Sequence, residues 1–130
     1  MRKIVSTGTS WERAFGYSRA VRAGDNVYVA GTTAVDETGA VIGPDDPYAQ
    51  AKAVLDKIEA ALTEAGASMR DVVRTRIFVT DMAHADAIGR AHGEFFRDIR
   101  PAATMVQVVK LIDPRLLVEI EADAVTRAGD

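Results

Sequence analysis

Residues Val118-Glu119-Ile120-Glu121-Ala122-Asp123-Ala124 alternate apolar and acidic side chains without a break. A period of two belongs to a β-strand, so one face of this strand is buried and the other carries the carboxylates of Glu119, Glu121 and Asp123. Carboxylates in such a row repel one another unless they meet water or cations. The chain must therefore build a sheet with one covered face and one polar or partnered face. Arg74 and Arg76 share a face of another strand, Val72–Thr80. The pattern leaves two readings open: a solvated face with ion pairs, or a polar cleft on the uncovered side.

The remaining elements follow from periodicity and turn chemistry. Tyr17–Arg22 and Asn26–Ala34 read as a hairpin around Ala23-Gly24-Asp25-Asn26, and Asp36-Glu37-Thr38-Gly39 is a second turn. Asp46-Pro47 opens a helix, with Asp46 able to cap and Pro47 placed where its missing N–H costs nothing. Ala51, Val54, Leu55, Ile58, Ala61, Leu62 and Ala65 then form one apolar stripe, and Gly66 is the expected left-handed stop. Asp81–Ile99 reads as a second helix, with Ile88, Ala91, Phe95 and Ile99 inward; its Gly89 and Gly93 make it dependent on packing. Thr104–Ile112 and Leu116–Val125 are the last strands, on either side of Asp113-Pro114. A short strand at Lys3–Val5 is a further expectation, and the tail Thr126–Asp130 is expected to fray. The order β-β-α-β-α-β-β predicts an α+β fold: a mixed, six-stranded sheet with two helices packed on one face. The opposite face then needs a partner subunit or solvent.

The 130 residues fit a single domain, 1–130. A net charge of −3 and the lack of any basic stripe give no reason to expect nucleic acid as a partner. With no cysteine, disulfides, thiolate metal sites and cysteine nucleophiles are excluded, and a cytoplasmic location is the expectation. No apolar run is long enough to span a membrane, and Met1-Arg2-Lys3-Ile4-Val5 turns polar too soon for a signal peptide.

Few motifs carry chemistry on their own. There is no phosphate-binding glycine loop, paired-histidine metal motif or serine nucleophile elbow. His84 and His92 are eight residues apart, not the four that would place both on one metal, and read as ordinary packing or surface histidines. Trp11, the only tryptophan, falls in an expected loop, where packing as a lid and stacking on a ligand are both open. Tyr17 offers a phenol at a strand start. Gly31 interrupts a β-branched strand, which marks either a bulge or the close approach of a ligand or another backbone.

Several segments together resemble the Rid (reactive intermediate deaminase) family. They are Phe15-Gly16-Tyr17-Ser18-Arg19-Ala20-Val21, Val27-Tyr28-Val29-Ala30-Gly31, Phe78-Val79-Thr80-Asp81-Met82, Arg100-Pro101-Ala102 and Val118-Glu119-Ile120-Glu121-Ala122. The resemblance runs from about Tyr17 to Val125. It implies a chorismate-mutase-like fold, a homotrimer whose open sheet faces line a central barrel, and small-molecule clefts between subunits. It also implies cofactor-independent hydrolysis of enamines or imines, such as 2-iminoacids, with no metal. Tyr17 and Glu119 are the expected catalytic residues, and Trp11, Gly31, Thr32, Ala103 and Met105 the expected substrate-binding set.

The chain departs from the family pattern at the carboxylate clamp. The family's Pro-Ala-Arg-Ser reads Pro101-Ala102-Ala103-Thr104 here, Met105 stands at a position that is cysteine in many relatives, and Gly89 replaces an asparagine. Loss of a buried bidentate ion pair costs about 2–5 kcal/mol of binding, or roughly two or more orders of magnitude. Ordinary 2-iminoacid deamination is therefore expected to be poor. Arg13, Arg76 and Arg100 are the arginines considered as substitutes. A trimer that captures a small, partly apolar metabolite without turnover is the alternative reading.

Overall fold

The computed structural model describes residues 2–127; residues 128–130 of the expected fraying tail lie outside the described residues. The first part of that tail is held, since Thr126 donates its backbone N–H to the Asp25 carbonyl at 2.8 Å. Six strands form one sheet: β1 Arg2–Val5, β2 Ala20–Ala23, β3 Asn26–Thr33, β4 Val72–Val79, β5 Ala102–Gln107 and β6 Val118–Val125. Their spatial order is β1-β2-β3-β6-β4-β5, with only β4 and β5 parallel. The α+β class and the mixed six-stranded sheet are as the sequence implies.

Helix α2, Pro47–Glu64, begins where Asp46 accepts from the Ala49 N–H at 3.0 Å. It ends where Gly66 adopts φ 81° and Ala67 donates back to the Leu62 carbonyl at 2.8 Å, a Schellman closure that a side chain at residue 66 would strain. Val54, Leu55, Ile58 and Leu62 of α2 are fully buried. Helix α3, Ala85–Phe96, packs beside α2 and buries Ile88, Ala91 and Phe96. It is shorter than the expected Asp81–Ile99, because Asp81 caps a separate single turn at Met82–His84. Both helices cover the face formed by Val118, Ile120, Ala122 and Ala124 of β6 with Thr75, Ile77 and Val79 of β4. The opposite face carries Glu119, Glu121, Asp123, Arg74, Arg76 and Phe78, half-buried and, among the described residues, covered by no element of the chain.

Two strand boundaries shift markedly. The first hairpin strand begins at Ala20 rather than Tyr17, because the chain before it turns out of a short helix, α1 Ser10–Phe15, where a loop was expected. The fifth strand stops at Gln107 rather than Ile112: it is an edge strand, and its one neighbour, β4, ends at Val79 opposite Gln107. The loop that follows is pinned by Gln50, a fully buried side chain that donates to the Arg115 carbonyl at 2.9 Å and accepts from the Leu117 N–H at 2.8 Å.

Candidate functional site

The site grows from the local structure of α1. Thr9 caps the helix by accepting from the Glu12 N–H, and Gly16 closes it with φ 75°. Glu12 is buried and its carboxylate takes hydroxyl hydrogen bonds from Ser6, Thr7 and Thr9. Burial alone would raise its pKa; the three hydroxyls and the Thr7 N–H outweigh it, and the group sits below the ordinary carboxylate range. This clasp draws residues 6–9 onto α1. Trp11 and Phe15, one turn apart with ring centroids 5.0 Å from each other, are left on the outer side.

Opposite these rings, β3 carries a bulge between Val29 and Thr32 in its pairing with β6. There a Cβ on Gly31 would lie 2.1 Å from Oε2 of Glu119. No side chain fits, so glycine at this position is what lets the Glu119 carboxylate lie over the strand. A cavity of about 330 Å³ opens at this place, lined by Trp11, Phe15, Tyr17, Arg19, Gly31, Thr33, Val35, Lys57, Ile112 and Glu119 among others. A neighbouring hollow of about 400 Å³ shares Thr9, Arg19, Val35, Asp36 and Lys57 with it. A larger hollow of about 580 Å³ lies beyond Tyr17, along Ser6 to Arg13, but its one acid, Glu12, is already saturated by the hydroxyls. The chemistry is concentrated in the cavity at Glu119.

Glu119 is half-buried, and its carboxyl is held above the ordinary carboxylate range. Burial is the main cause, Glu121 adds to it, and Arg19 opposes it. Among the described residues it has no direct ion pair. Register explains why. Arg76, opposite Glu121, bridges Glu121 and Asp123 at 3.2 Å each, whereas Phe78 stands opposite Glu119 on one side and Thr33 on the other. Of the two readings left open for the acidic row, ion pairing therefore applies to Glu121 and Asp123, and an open cavity to Glu119.

Two cations were not foreseen from the sequence. Arg19 donates from Nη2 to the Gly31 carbonyl at 2.8 Å, its guanidinium carbon lies 5.9 Å from the centre of the Tyr17 ring, and its Nε is buried without a partner. Lys57 reaches up from α2 and donates to the carbonyls of Thr33 at 2.7 Å and Val35 at 3.0 Å, at the end of β3 and just beyond it. Burial, with Arg19 nearby, holds its pKa below the ordinary lysine range.

The expected site residues thus fall into two groups. Trp11, Tyr17, Gly31 and Glu119 line one cavity. Thr32 does not: it is buried on the helix-covered face with its hydroxyl donating to the Ala30 carbonyl at 2.8 Å, and Thr33 faces the cavity instead. The bulge causes this, because it shifts the face on which each following side chain emerges. Ala103 and Met105 lie on the edge strand β5, level with Thr75 and Ile77, and β4 separates them from Glu119 in the same chain. Of the arginines considered as substitutes, Arg76 is held by Glu121 and Asp123, Arg13 lines the hollow beyond Tyr17, and Arg100 precedes β5 at its Arg74 end. One signal for α1 was available: Thr9-Ser10-Trp11-Glu12 is a capping-box spacing.

The fold and this bulged site define a class of protein, and comparison with known proteins agrees. Residues 8–126 match the family described as Endoribonuclease L-PSP, and the chain belongs to that family, which includes the YjgF, RutC and Rid proteins. A Mycobacterium tuberculosis protein, Rv2704, described as a member of the YjgF/YER057c/UK114 family, is 50% identical; the match covers 96% of this chain and 99% of that one, with a TM-score of 0.88. An uncharacterized Streptomyces coelicolor protein is 42% identical over 97% of this chain and 93% of its own length. The 3-aminoacrylate deaminase RutC of Acinetobacter baylyi is 39% identical over 83% of this chain and 85% of its own length.

Proposed function

We propose that this chain hydrolyses a small imine, enamine or related C–N substrate without a cofactor, in clefts completed between the subunits of a homotrimer. In the same reading it is not an ordinary 2-iminoacid deaminase, because Ala103 stands at the clamp position. The observation that carries the proposal is the Glu119 carboxylate: half-buried, without an ion pair, held above its ordinary pKa and laid over a glycine beside an open cavity. A carboxylate tuned upward in this way is suited to move protons near neutral pH. Glu119 takes a proton from water as the water oxygen bonds to the electrophilic carbon. Glu119 returns that proton to the nitrogen, which has received the C=N electron pair; the adduct's hydroxyl proton follows to the nitrogen as the C–N bond breaks, so that ammonia leaves and the carbonyl forms. Tyr17 offers a phenol to hold the departing nitrogen or the forming oxygen. The RutC relative, named for deamination of 3-aminoacrylate, supports this reaction class.

The trimer is supported by the uncovered sheet face and the unpaired edge of β5. In such an assembly Ala103, exposed on the edge strand β5, meets a neighbour's cleft and makes its wall apolar, while Met105 packs partly against its own subunit's core. No nucleic-acid role is proposed: the net charge is −3 and the open sheet face carries three carboxylates, Glu119, Glu121 and Asp123, which would repel a phosphate backbone. Among the described residues no helix is long and apolar enough to cross a membrane, and no acidic or histidine cluster could hold a metal.

Capture without turnover is the second reading, favoured by the apolar lining of Trp11, Phe15 and Ile112. Ammonia release from a panel of imines, measured beside ligand-induced thermal shift, separates the two. Release that Glu119→Gln abolishes is the expected result. A thermal shift with no release in any case would overturn turnover and leave the binder.

A further inference from the structure

We propose that Lys57 is a nucleophilic amine, and that this cavity captures small uncharged aldehydes and ketones on it as reversible Schiff bases. Capture of this kind needs the cavity at Glu119 but not turnover in it.

Lysines on a helix ordinarily extend their charge into water. Lys57 instead is half-buried and borders both the cavity and the neighbouring hollow. The cavity lining balances two cations, Arg19 and Lys57, against two acids, Asp36 and Glu119. Lys57 bonds to neither acid: its Nζ donates to the carbonyls of Thr33 and Val35, and among the described residues it has no ion pair. Asp36 spends one carboxylate oxygen on the turn it closes, accepting from the Thr38 N–H, the Thr38 hydroxyl and the Ala40 N–H. Burial is the main cause that lowers the pKa of Lys57, and the neighbouring charge that adds to it is that of Arg19.

Two carbonyls suit an uncharged amine better than an ammonium. An ammonium carries three N–H donors, and the third would have no protein acceptor among the described residues. An amine carries two, one for each carbonyl, and its lone pair takes the remaining tetrahedral direction. The nitrogen is thus held by its hydrogens while its reactive electrons stay free. A desolvated lysine beside another cation is a setting that activates an amine as a nucleophile.

The lone pair bonds to the carbonyl carbon as the C=O electron pair moves to oxygen. Glu119, in the same cavity, gives its proton to that oxygen and takes one back from nitrogen, which leaves a carbinolamine. It then gives this proton to the hydroxyl, which departs as water while the nitrogen lone pair closes the C=N bond. The product is an iminium that keeps one N–H for a backbone carbonyl and faces Glu119 as a carboxylate. Nothing is oxidised or reduced, and water reverses the sequence. Trp11, Phe15 and Ile112 offer a wall for a short alkyl chain, and the balanced charges of the lining favour an uncharged ligand.

The test incubates the intact protein with propanal and sodium cyanoborohydride, which delivers hydride to an iminium and fixes it as a secondary amine. Peptide mapping by mass spectrometry scores Lys3, Lys52, Lys57 and Lys110 separately from one another and from the α-amine. At neutral pH Lys57 is expected to be alkylated at least about tenfold faster than the exposed Lys52 and Lys110, since one pKa unit is a tenfold change in the uncharged fraction. Unfolding in guanidinium chloride should abolish the difference. Alkylation of Lys57 no faster than that of Lys52 and Lys110, or a preference that persists in the unfolded chain, would overturn the proposal. Preferential labelling of Lys57 in a protein that releases no ammonia from any imine would keep the capture and remove turnover. Ammonia release with no preference for Lys57 would do the reverse.

Discussion

Gly31→Ala isolates the position of one carboxylate. The added methyl would lie 2.1 Å from Oε2 of Glu119 and 3.1 Å from its Cδ. Ordinary contact needs about 3.5 Å, so the carboxylate must withdraw by roughly 1 Å or more. Gly31 is not at positive φ, so the backbone itself tolerates alanine. The group that gives way is the end of a flexible side chain beside a cavity, and the folding cost should stay at or below the lower end of the 1–3 kcal/mol typical of overpacking. The chemical cost is larger. Misplacing a reacting group by about 1 Å lowers the rate by about 100-fold, equivalent to roughly 2.7 kcal/mol in the barrier. The assay is kcat/KM for ammonia release from the best imine of the panel, with a thermal melt of the same samples. The expected pattern is a large fall in rate, a small fall in melting temperature, and no further loss when Gly31→Ala is added to Glu119→Gln. Wild-type kcat/KM in Gly31→Ala would refute the claim that Glu119 acts from its present position.

Three further outcomes are expected. Light scattering should give three chain masses, and a stable monomer at micromolar concentration would contradict the assembly. Ala103→Arg should raise turnover of 2-iminobutanoate about tenfold or more by restoring a carboxylate clamp; unchanged kcat/KM would show that this position does not reach a cleft. Glu119→Gln should raise the melting temperature at pH 7. The folded state holds the Glu119 proton more tightly than the unfolded state, so this group favours folding most below about pH 4.5 and that contribution is lost as pH rises through its raised pKa. The gain from glutamine should therefore vanish in acid, and an equal difference in melting temperature at pH 4 and pH 7 would refute the assignment.

The elements legible in the sequence were those whose signals are local. Helix α2 has its capping aspartate, its proline, its apolar stripe and its terminal glycine all within one segment, and β6 has an unbroken alternation. Helix α1 was missed because six residues show no periodicity and because its stability comes from Glu12 gathering hydroxyls from the chain ahead of it. In the site, Tyr17, Gly31 and Glu119 were legible through family resemblance, and Gly31 also through its place in a β-branched run. Thr32, expected in the substrate-binding set, is turned inward by a one-residue bulge, which inverts the alternation downstream and leaves no mark in composition. Lys57 was invisible for another reason. A lysine on a helix reads as solvated, and the two carbonyls that hold it belong to residues 24 and 22 positions away.

The register of β6 shows how one sheet face serves two purposes. Its three outward carboxylates are equivalent in the sequence, yet each meets a different neighbour across the ladder. Glu121 lies opposite Arg76, and Asp123 is close enough to share the same guanidinium. These groups are partly exposed, so their attraction is screened and contributes little to stability. It does keep Arg76 from swinging toward Glu119. Two residues along β4 the cation is replaced by Phe78, which withdraws water from Glu119 without offering a charge in return. On the other side, glycine in the β3 bulge removes the side chain that would have displaced the carboxylate. Arg19, the cation nearest in effect, is held back by the Gly31 carbonyl and does not close onto the acid. A phenylalanine, a glycine and a tethered arginine thus leave one of three chemically similar acids unpaired beside a cavity, where an acid–base role is physically available to it and to neither of the others.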